Sequence, residues 1–147
     1  MIVEKVVDVL LVEDSAEDAD LALAALKSRK LGGKIVHLAD GDEVMDFVFA
    51  SSMSANWTAE RAPRVIILDL KLGRMGGMEV LKQLKSEERT RPIPVVVLTG
   101  SAQEGEMNEC YRLGVNSYVV KPADGRLYGQ MVADIAHYWL NVNEVLH

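Results

Sequence analysis

A chain of 147 residues, 49% hydrophobic and 26% charged, is one domain's worth of soluble material, with enough apolar residues for a sizeable core. Its formal charge of −6 argues against nucleic acid as a direct partner, because binding phosphate calls for a basic surface. A single cysteine, Cys110, excludes an internal disulfide and fits a reducing compartment, and no apolar stretch approaches the length that spans a bilayer. The first residues, Met1-Ile2-Val3-Glu4-Lys5, lack the basic start and apolar run of a signal peptide, so the expected location is the cytoplasm. His37, His137 and His147 have no metal-ligand spacing, and no zinc or haem site is assigned.

Taken in order, Val6 to Val12 is the first buried-strand pattern, and it ends in two carboxylates, Glu13-Asp14. Ser15 with Asp18 makes a box-like N-cap for a helix to about Arg29, with a narrow stripe of Ala19, Ala22, Leu23 and Leu26. A strand from Lys34 to Leu38 leads to Asp40, which caps a helix with Val44, Phe47 and Val48 inward. Residues 52 to 63 make an unusually long polar loop containing Trp57 and ending at Pro63. Val65-Ile66-Ile67-Leu68-Asp69 is a strand apolar on both faces that runs into one carboxylate.

Three glycines between Lys71 and Gly77 make a flexible turn, and a helix from Met78 to Ser86 buries Val80, Leu81 and Leu84. Val95 to Leu98 is the fourth strand, with its exit at Thr99. Ser101 with Glu104 makes a capping box for a helix to Leu113, and Gly114 closes that helix. Cys110, within it, is a packing or surface residue. The fifth strand, Ser117 to Val120, exits at Lys121-Pro122, and the last helix starts near Asp124 and runs to about Val142. Strands of Val, Ile and Leu alternating with helices predict an α/β fold, a parallel five-stranded sheet covered on both faces.

Parallel strands joined by right-handed crossovers put their carboxyl ends on one edge, which gathers Glu13, Asp14, Asp69, Thr99 and Lys121. Each has a plainer explanation taken singly: a turn residue, a helix-dipole partner, a strand-end hydroxyl, a solvated lysine. For Asp69 alone the two readings are even; the coincidence of four such exits favours a site. Clustered carboxylates repel unless a cation neutralises them, and an all-oxygen donor set suits Mg²⁺. Lys121 would hold an anion near the ion, Thr99 would donate to it, and a carboxylate is a competent nucleophile toward phosphorus.

With these residues in place, the chain resembles the CheY-like receiver domains of two-component response regulators over about residues 6 to 140. Leu11-Val12-Glu13-Asp14 looks like their acidic pair, and Val65 to Leu70 like their phosphoacceptor strand, with Gly77 eight residues after Asp69. Pro94 to Thr99 and Tyr118-Val119-Val120-Lys121-Pro122 look like the switch-threonine and lysine strands. The resemblance implies a flavodoxin-like fold with strand order 2-1-3-4-5 and a single receiver domain with no output domain. It implies that Asp69 takes phosphate from a histidine kinase or a phosphotransfer protein, and that Asp14, Asp69 and the Lys71 backbone carbonyl bind Mg²⁺. Glu13 would act partly through water, Lys121 would pair with the phosphoryl group, and Thr99 and Tyr118 would switch. Lys71 and Ser101 would tune hydrolysis, and Pro122 would follow a cis bond. Such a protein is no enzyme beyond assisting its own phosphorylation and dephosphorylation. Gly73 and Gly76 depart from the common Pro and Asp, which puts the rigidity of that loop in question.

The long loop and Tyr138-Trp139-Leu140 are similar to the stand-alone regulators associated with bacterial phytochrome kinases. On the last helix Leu127, Met131, Ile135 and Trp139 form one stripe, widened by Tyr128, Val132, Tyr138 and Val142. Either this helix folds wholly onto its own domain, or the surplus is a homodimer interface. Two other function classes stand against the switch. One is a receiver fold reduced to an unphosphorylated docking module. The other is a flavin carrier, which would need a Ser/Thr/Gly-rich phosphate loop where Glu13-Asp14 stands.

Overall fold

The computed structural model describes residues 7–31, 33–52, 62–100 and 102–144. Five parallel strands, β1 (Val9–Val12), β2 (Ile35–Leu38), β3 (Val65–Asp69), β4 (Val95–Thr99) and β5 (Ser117–Val120), form one sheet in the order β2-β1-β3-β4-β5. Helices α1 (Ala16–Ser28), α2 (Gly41–Ser52), α3 (Gly77–Ser86), α4 (Glu104–Leu113) and α5 (Gly125–His137) alternate with them. The expected architecture and strand order are both present.

Alternation along the strands divides the core in two. Leu10, Val12, Ile66, Leu68, Val95 and Val97 face α2, α3 and α4, where Val44, Val48, Val80, Leu81, Leu84 and Cys110 meet them. The intervening residues, Val9, Leu11, Val65, Ile67, Val96 and Leu98, face α1 and α5. Every residue of β1, β3 and β4 is therefore buried, as their unbroken aliphatic runs require. On the second face small residues let two helices approach closely: a Cβ at Gly129 of α5 would sit 2.9 Å from the Leu21 carbonyl oxygen and 3.5 Å from Ala25 Cβ of α1.

Caps and turns follow the sequence with some shifts. Ser15 Oγ accepts from the Asp18 N–H, Asp40 Oδ1 from the Glu43 N–H, and Asp124 Oδ1 from the Arg126 and Leu127 N–H groups. Gly114 ends α4 at φ 105°, the left-handed conformation that favours glycine. β1 starts at Val9 in place of Val6, because the Asp8 carboxylate is engaged by the Gly33 and Lys34 N–H groups. The expected Ser101 cap is replaced: Gln103 holds the N-cap position of α4 without a side-chain bond, and Ser101 lies outside the described residues. Among the described residues every peptide bond is trans, Lys121–Pro122 included, which corrects the cis expectation; trans is the lower-energy form of X–Pro. Most of the long loop, residues 53–61 with Trp57, also falls outside the description.

The last helix turns part of its apolar surface onto the core and leaves a remainder exposed. Tyr128, Val132, Ala133 and Ala136 face the sheet, while Leu127 is 47% exposed and Met131, Ile135 and Trp139 are half-buried. The helix widens into a π-helical turn, Tyr138–Val142, closed by Asn143 N–H donating to the Tyr138 carbonyl oxygen at 2.7 Å. Arg64, beside β3, donates to the Leu140 carbonyl oxygen at 2.7 Å and pins that end to the sheet.

The turn after β3 is tightest at Gly77. A Cβ there would overlap the Asp69 carbonyl oxygen and come within 2.7 Å of Leu70 Cα, whereas one at Gly73 would meet nothing within 4 Å. Gly77→Ala is therefore expected to cost about 2 kcal/mol or more in urea unfolding, and Gly73→Ala less than about 0.5 kcal/mol. Equal costs would show that the close approach at Gly77 does not constrain the turn.

Candidate functional site

Because β1 lies directly beside β3, Glu13 and Asp69 emerge as neighbours at the carboxyl edge of the sheet. Ligand atoms of Glu13, Asp14 and Asp69 all lie within 4.8 Å of one another. Glu13 and Asp69 are buried and Asp14 is exposed, so the cluster opens to solvent on one side. Lys121, at the exit of β5, reaches across β4 into this cluster. Its Nζ donates to Glu13 Oε1 at 2.8 Å, Asp69 Oδ2 at 3.1 Å and Asp18 Oδ2 at 3.3 Å. The Lys71 N–H donates to Asp69 Oδ1 at 2.9 Å, which fixes the carboxylate from the loop side.

The electrostatics divide the two buried carboxyls. Burial and the adjacent Glu13 push Asp69 up to about 6, against the Lys71 N–H and the Lys121 charge. Burial also works to raise Glu13, but hydrogen bonds from Asp69, Lys121 and Tyr128 outweigh it and hold Glu13 below the usual carboxylate range. Burial works to lower Lys121, and the two carboxylates overcome it, so the ammonium stays charged. A pocket with more negative than positive charge, lined by carboxylate oxygens and open on one side, fits a hard divalent cation. Glu13, Asp14 and Asp69 are the residues that could hold it.

Of the residues expected here, Glu13, Asp14, Asp69 and Lys121 come together. Thr99 and Tyr118 meet elsewhere. Thr99 Oγ1 donates to Glu106 Oε1 at 2.9 Å, and the Tyr118 hydroxyl donates to the same oxygen at 2.7 Å. Burial and then the Glu106 carboxylate raise the Tyr118 phenol, so it remains a donor. Ser101 lies outside the described residues. Cys110 is fully buried against Met78, and burial with two nearby glutamates pushes its thiol up to about 11, which suits packing and not nucleophilic attack.

Sequence patterns passed over three residues. Tyr128 donates to Glu13 Oε1 at 2.9 Å and places its ring under the Lys121 ammonium, 4.9 Å from the centroid. Asp18 serves Lys121, and Glu106 joins Thr99 to Tyr118. For Tyr128 a signal existed: a tyrosine on the inward face of a helix needs a partner for its hydroxyl, and the acidic strand exits supply one.

The profile of the response regulator receiver domain family matches residues 9–133. The chain is 37% identical over 135 residues to a probable methanogenesis regulatory protein, FilR2, of Methanothrix harundinacea, covering 92% of this chain and 84% of that one. It is 35% identical over 132 residues to the response regulator Rcp1 of Synechocystis sp., covering 90% and 88%. The Mn²⁺-bound crystal structure of Rcp1 superposes with a TM-score of 0.82 at 34% identity, covering 95% of this chain and 98% of that one. The phosphorylated cyanobacterial phytochrome response regulator RcpA superposes with a TM-score of 0.84 at 33% identity, covering 97% and 100%. The chain belongs to the response regulator receiver domain family. Receiver domains take a phosphoryl group from histidine kinases and bind Mg²⁺ or Mn²⁺ at an acidic pocket, and the Glu13, Asp14 and Asp69 cluster is such a pocket.

The Asp69 carboxylate is one of the groups that could hold the ion, so a proton on it competes with the ion there. With Asp69 at about 6, its ionised fraction drops as pH falls through that value while Glu13 stays charged. Mg²⁺ affinity measured by calorimetry is expected to be roughly fourfold weaker at pH 5.5 than at pH 7.5. An affinity flat across this window would mean that Asp69 is ionised throughout it.

Proposed function

We propose that Asp69 is the phosphoacceptor of a phosphorelay, acting as a Mg²⁺-dependent switch. The observation that carries this is the Lys121 ammonium seated on the Asp69 carboxylate, next to Glu13 and Asp14. A carboxylate oxygen of Asp69 attacks the phosphorus of a phosphohistidine. The P–N bond breaks, its electron pair goes to the imidazole nitrogen, which takes up a proton, and an aspartyl phosphate forms. In the reverse fate, water attacks phosphorus, the acyl O–P bond breaks, and the Asp69 carboxylate and inorganic phosphate are released. The protein thereby assists its own phosphorylation and dephosphorylation without turning over an outside substrate.

Asp14, Asp69 and the Lys71 backbone carbonyl would hold the ion, with Glu13 acting partly through water; bound Mg²⁺ supplies charge neutralisation for the transferring group. Lys121 pairs with the phosphoryl oxygens. Thr99 leaves Glu106 for the phosphoryl group, and Tyr118, which shares that carboxylate, turns inward. Lys71 and Ser101 occupy the sequence positions that would tune hydrolysis. With phosphoramidate and Mg²⁺, intact-mass measurement is expected to show one added phosphoryl group on the wild type and none on Asp69→Asn. Equal labelling of the Asn variant would overturn the assignment.

The donor we propose is a histidine kinase of the phytochrome type, in the cytoplasm; likeness to RcpA supports the first. No helix among the described residues is long and apolar enough to cross a membrane. We also propose that a second copy covers the outer face of α5 and its π-helical turn. Leu127, Tyr138 and Val142 are 47%, 47% and 57% exposed there, beside half-buried Met131, Ile135 and Trp139. Apolar surface grouped in this way favours burial between subunits. Light scattering is expected to give a dimer for the wild type and a folded monomer for Leu127→Glu with Tyr138→Glu. A wild-type monomer with and without phosphoramidate would remove the dimer.

A further inference from the structure

Glu13 is 1% exposed, and its carboxylate is fully engaged. Oε1 accepts from Lys121 Nζ at 2.8 Å and from the Tyr128 hydroxyl at 2.9 Å, while Oε2 accepts from the Ser15 N–H at 3.3 Å. Lys121 cannot serve Glu13 and an incoming phosphoryl group equally. As the ammonium moves toward phosphoryl oxygens, a buried carboxylate loses its cation, which is costly unless other donors remain. Of the chain's own donors two remain, the Ser15 N–H and the Tyr128 hydroxyl, and the hydroxyl is the one on the same oxygen that Lys121 leaves.

The position of that hydroxyl is set rigidly. Tyr128 is 2% exposed and lies one turn after the Asp124 cap, on the face of α5 that also buries Val132, Ala133 and Ala136 against the sheet. A phenylalanine would fill the same volume, so the oxygen is explained only by Glu13. The ring has a separate use, since the Lys121 ammonium sits 4.9 Å from its centroid, within range of a cation–π attraction. Ring and hydroxyl together hold both partners of the ion pair that phosphoryl transfer must rearrange.

We propose that Tyr128 is a positioning residue for phosphoryl transfer, whose hydroxyl keeps Glu13 satisfied while Lys121 passes from Glu13 to the phosphoryl group. This rests on Asp69 being the phosphoacceptor. Tyr128 touches no reacting atom; it acts through Glu13 and Lys121.

Four proteins test it: wild type, Tyr128→Phe, Glu13→Gln and the double variant, timed for uptake from phosphoramidate at saturating Mg²⁺. Tyr128→Phe is expected to slow uptake roughly tenfold, the worth of one hydrogen bond to a charged group. Its Mg²⁺ affinity by calorimetry is expected to fall by less than uptake does, because Tyr128 touches Glu13 and not the ion, and Glu13 acts on the ion partly through water. In the Glu13→Gln background, which has no buried charge to protect, the same substitution should change uptake less than about twofold. Unchanged uptake in Tyr128→Phe, equal slowing in both backgrounds, or a loss of Mg²⁺ affinity large enough to account for the slowing would each overturn the proposal. The same four proteins unfolded with urea in EDTA give the cycle without metal or phosphate. There Tyr128 and Glu13 should couple by at least roughly fivefold in the folding equilibrium, and additivity would sink the proposal even if Glu13→Gln takes up too little phosphate to time. Should the wild type itself take up none, the Asp69 reading falls first, and the EDTA cycle still judges the Tyr128–Glu13 contact.

Discussion

One ammonium group holds the functional edge of this molecule together. Lys121 Nζ lies within 3.3 Å of three carboxylates, from β1, α1 and β3, and two of those carboxylates are buried. Remove the cation and the sheet edge carries uncompensated negative charge in a poorly solvated place. The strand order makes this possible. Placing β1 beside β3 gathers the acids, and placing β5 outside β4 makes the cation reach across β4 to meet them. Only a long unbranched side chain covers that span, and lysine leaves its ammonium free to change partners. The arrangement is stable at rest and leaves negative charge over, which is the condition under which a divalent ion is welcome and a phosphoryl group can be exchanged.

A second, smaller arrangement is attached to the first through β4. Thr99 and Tyr118 share one oxygen of Glu106, so the hydroxyl at the carboxyl end of β4 and the aromatic on the neighbouring strand are tied by a single carboxylate on α4. If Thr99 is drawn to a phosphoryl oxygen, Glu106 loses one of its two donors and Tyr118 loses the geometry that the pair enforced. The coupling from site to surface then needs no movement of the sheet, whose central strands are buried on both faces and have little room to shift.

How much of this was legible in the chain varies by residue for physical reasons. The β3 run ending at Asp69, the caps at Ser15, Asp40 and Asp124, and the left-handed Gly114 are local patterns, and local patterns survive folding. Lys85 shows the opposite case. It lies on a helix where a solvated lysine would be ordinary, yet it is buried, with its ammonium donating to the Arg91 and Ile93 carbonyl oxygens and to Asn116 Oδ1. Burial pulls its pKa down to about 8, but three oxygen acceptors support the charge. Nothing within a few residues of Lys85 announces this, because Arg91 and Ile93 lie on the way into β4 and Asn116 lies just before β5, all beyond the end of the helix. The Gln103 start of α4 is similar: the Ser101/Glu104 pattern promises a helix start at Ser101, and Gln103 holds the N-cap position.

By itself the sequence determined the parallel α/β fold, the strand that carries Asp69, and the set of polar residues at the strand exits. The resemblance those residues carry supplied the strand order. Strand composition and crossover handedness fix which edge those exits share, so the acidic cluster and Lys121 could be gathered without coordinates. Tertiary structure alone decided which side of α5 turns inward, since its apolar residues wrap more of the helix than one sheet face can cover. That choice brought the Tyr128 hydroxyl onto Glu13 and its ring beneath Lys121, and left Leu127, Tyr138 and Val142 outside. It also decided that Thr99 and Tyr118 rest on Glu106. Contacts between side chains far apart in the chain depend on distances that only packing sets, and no local spacing encodes them.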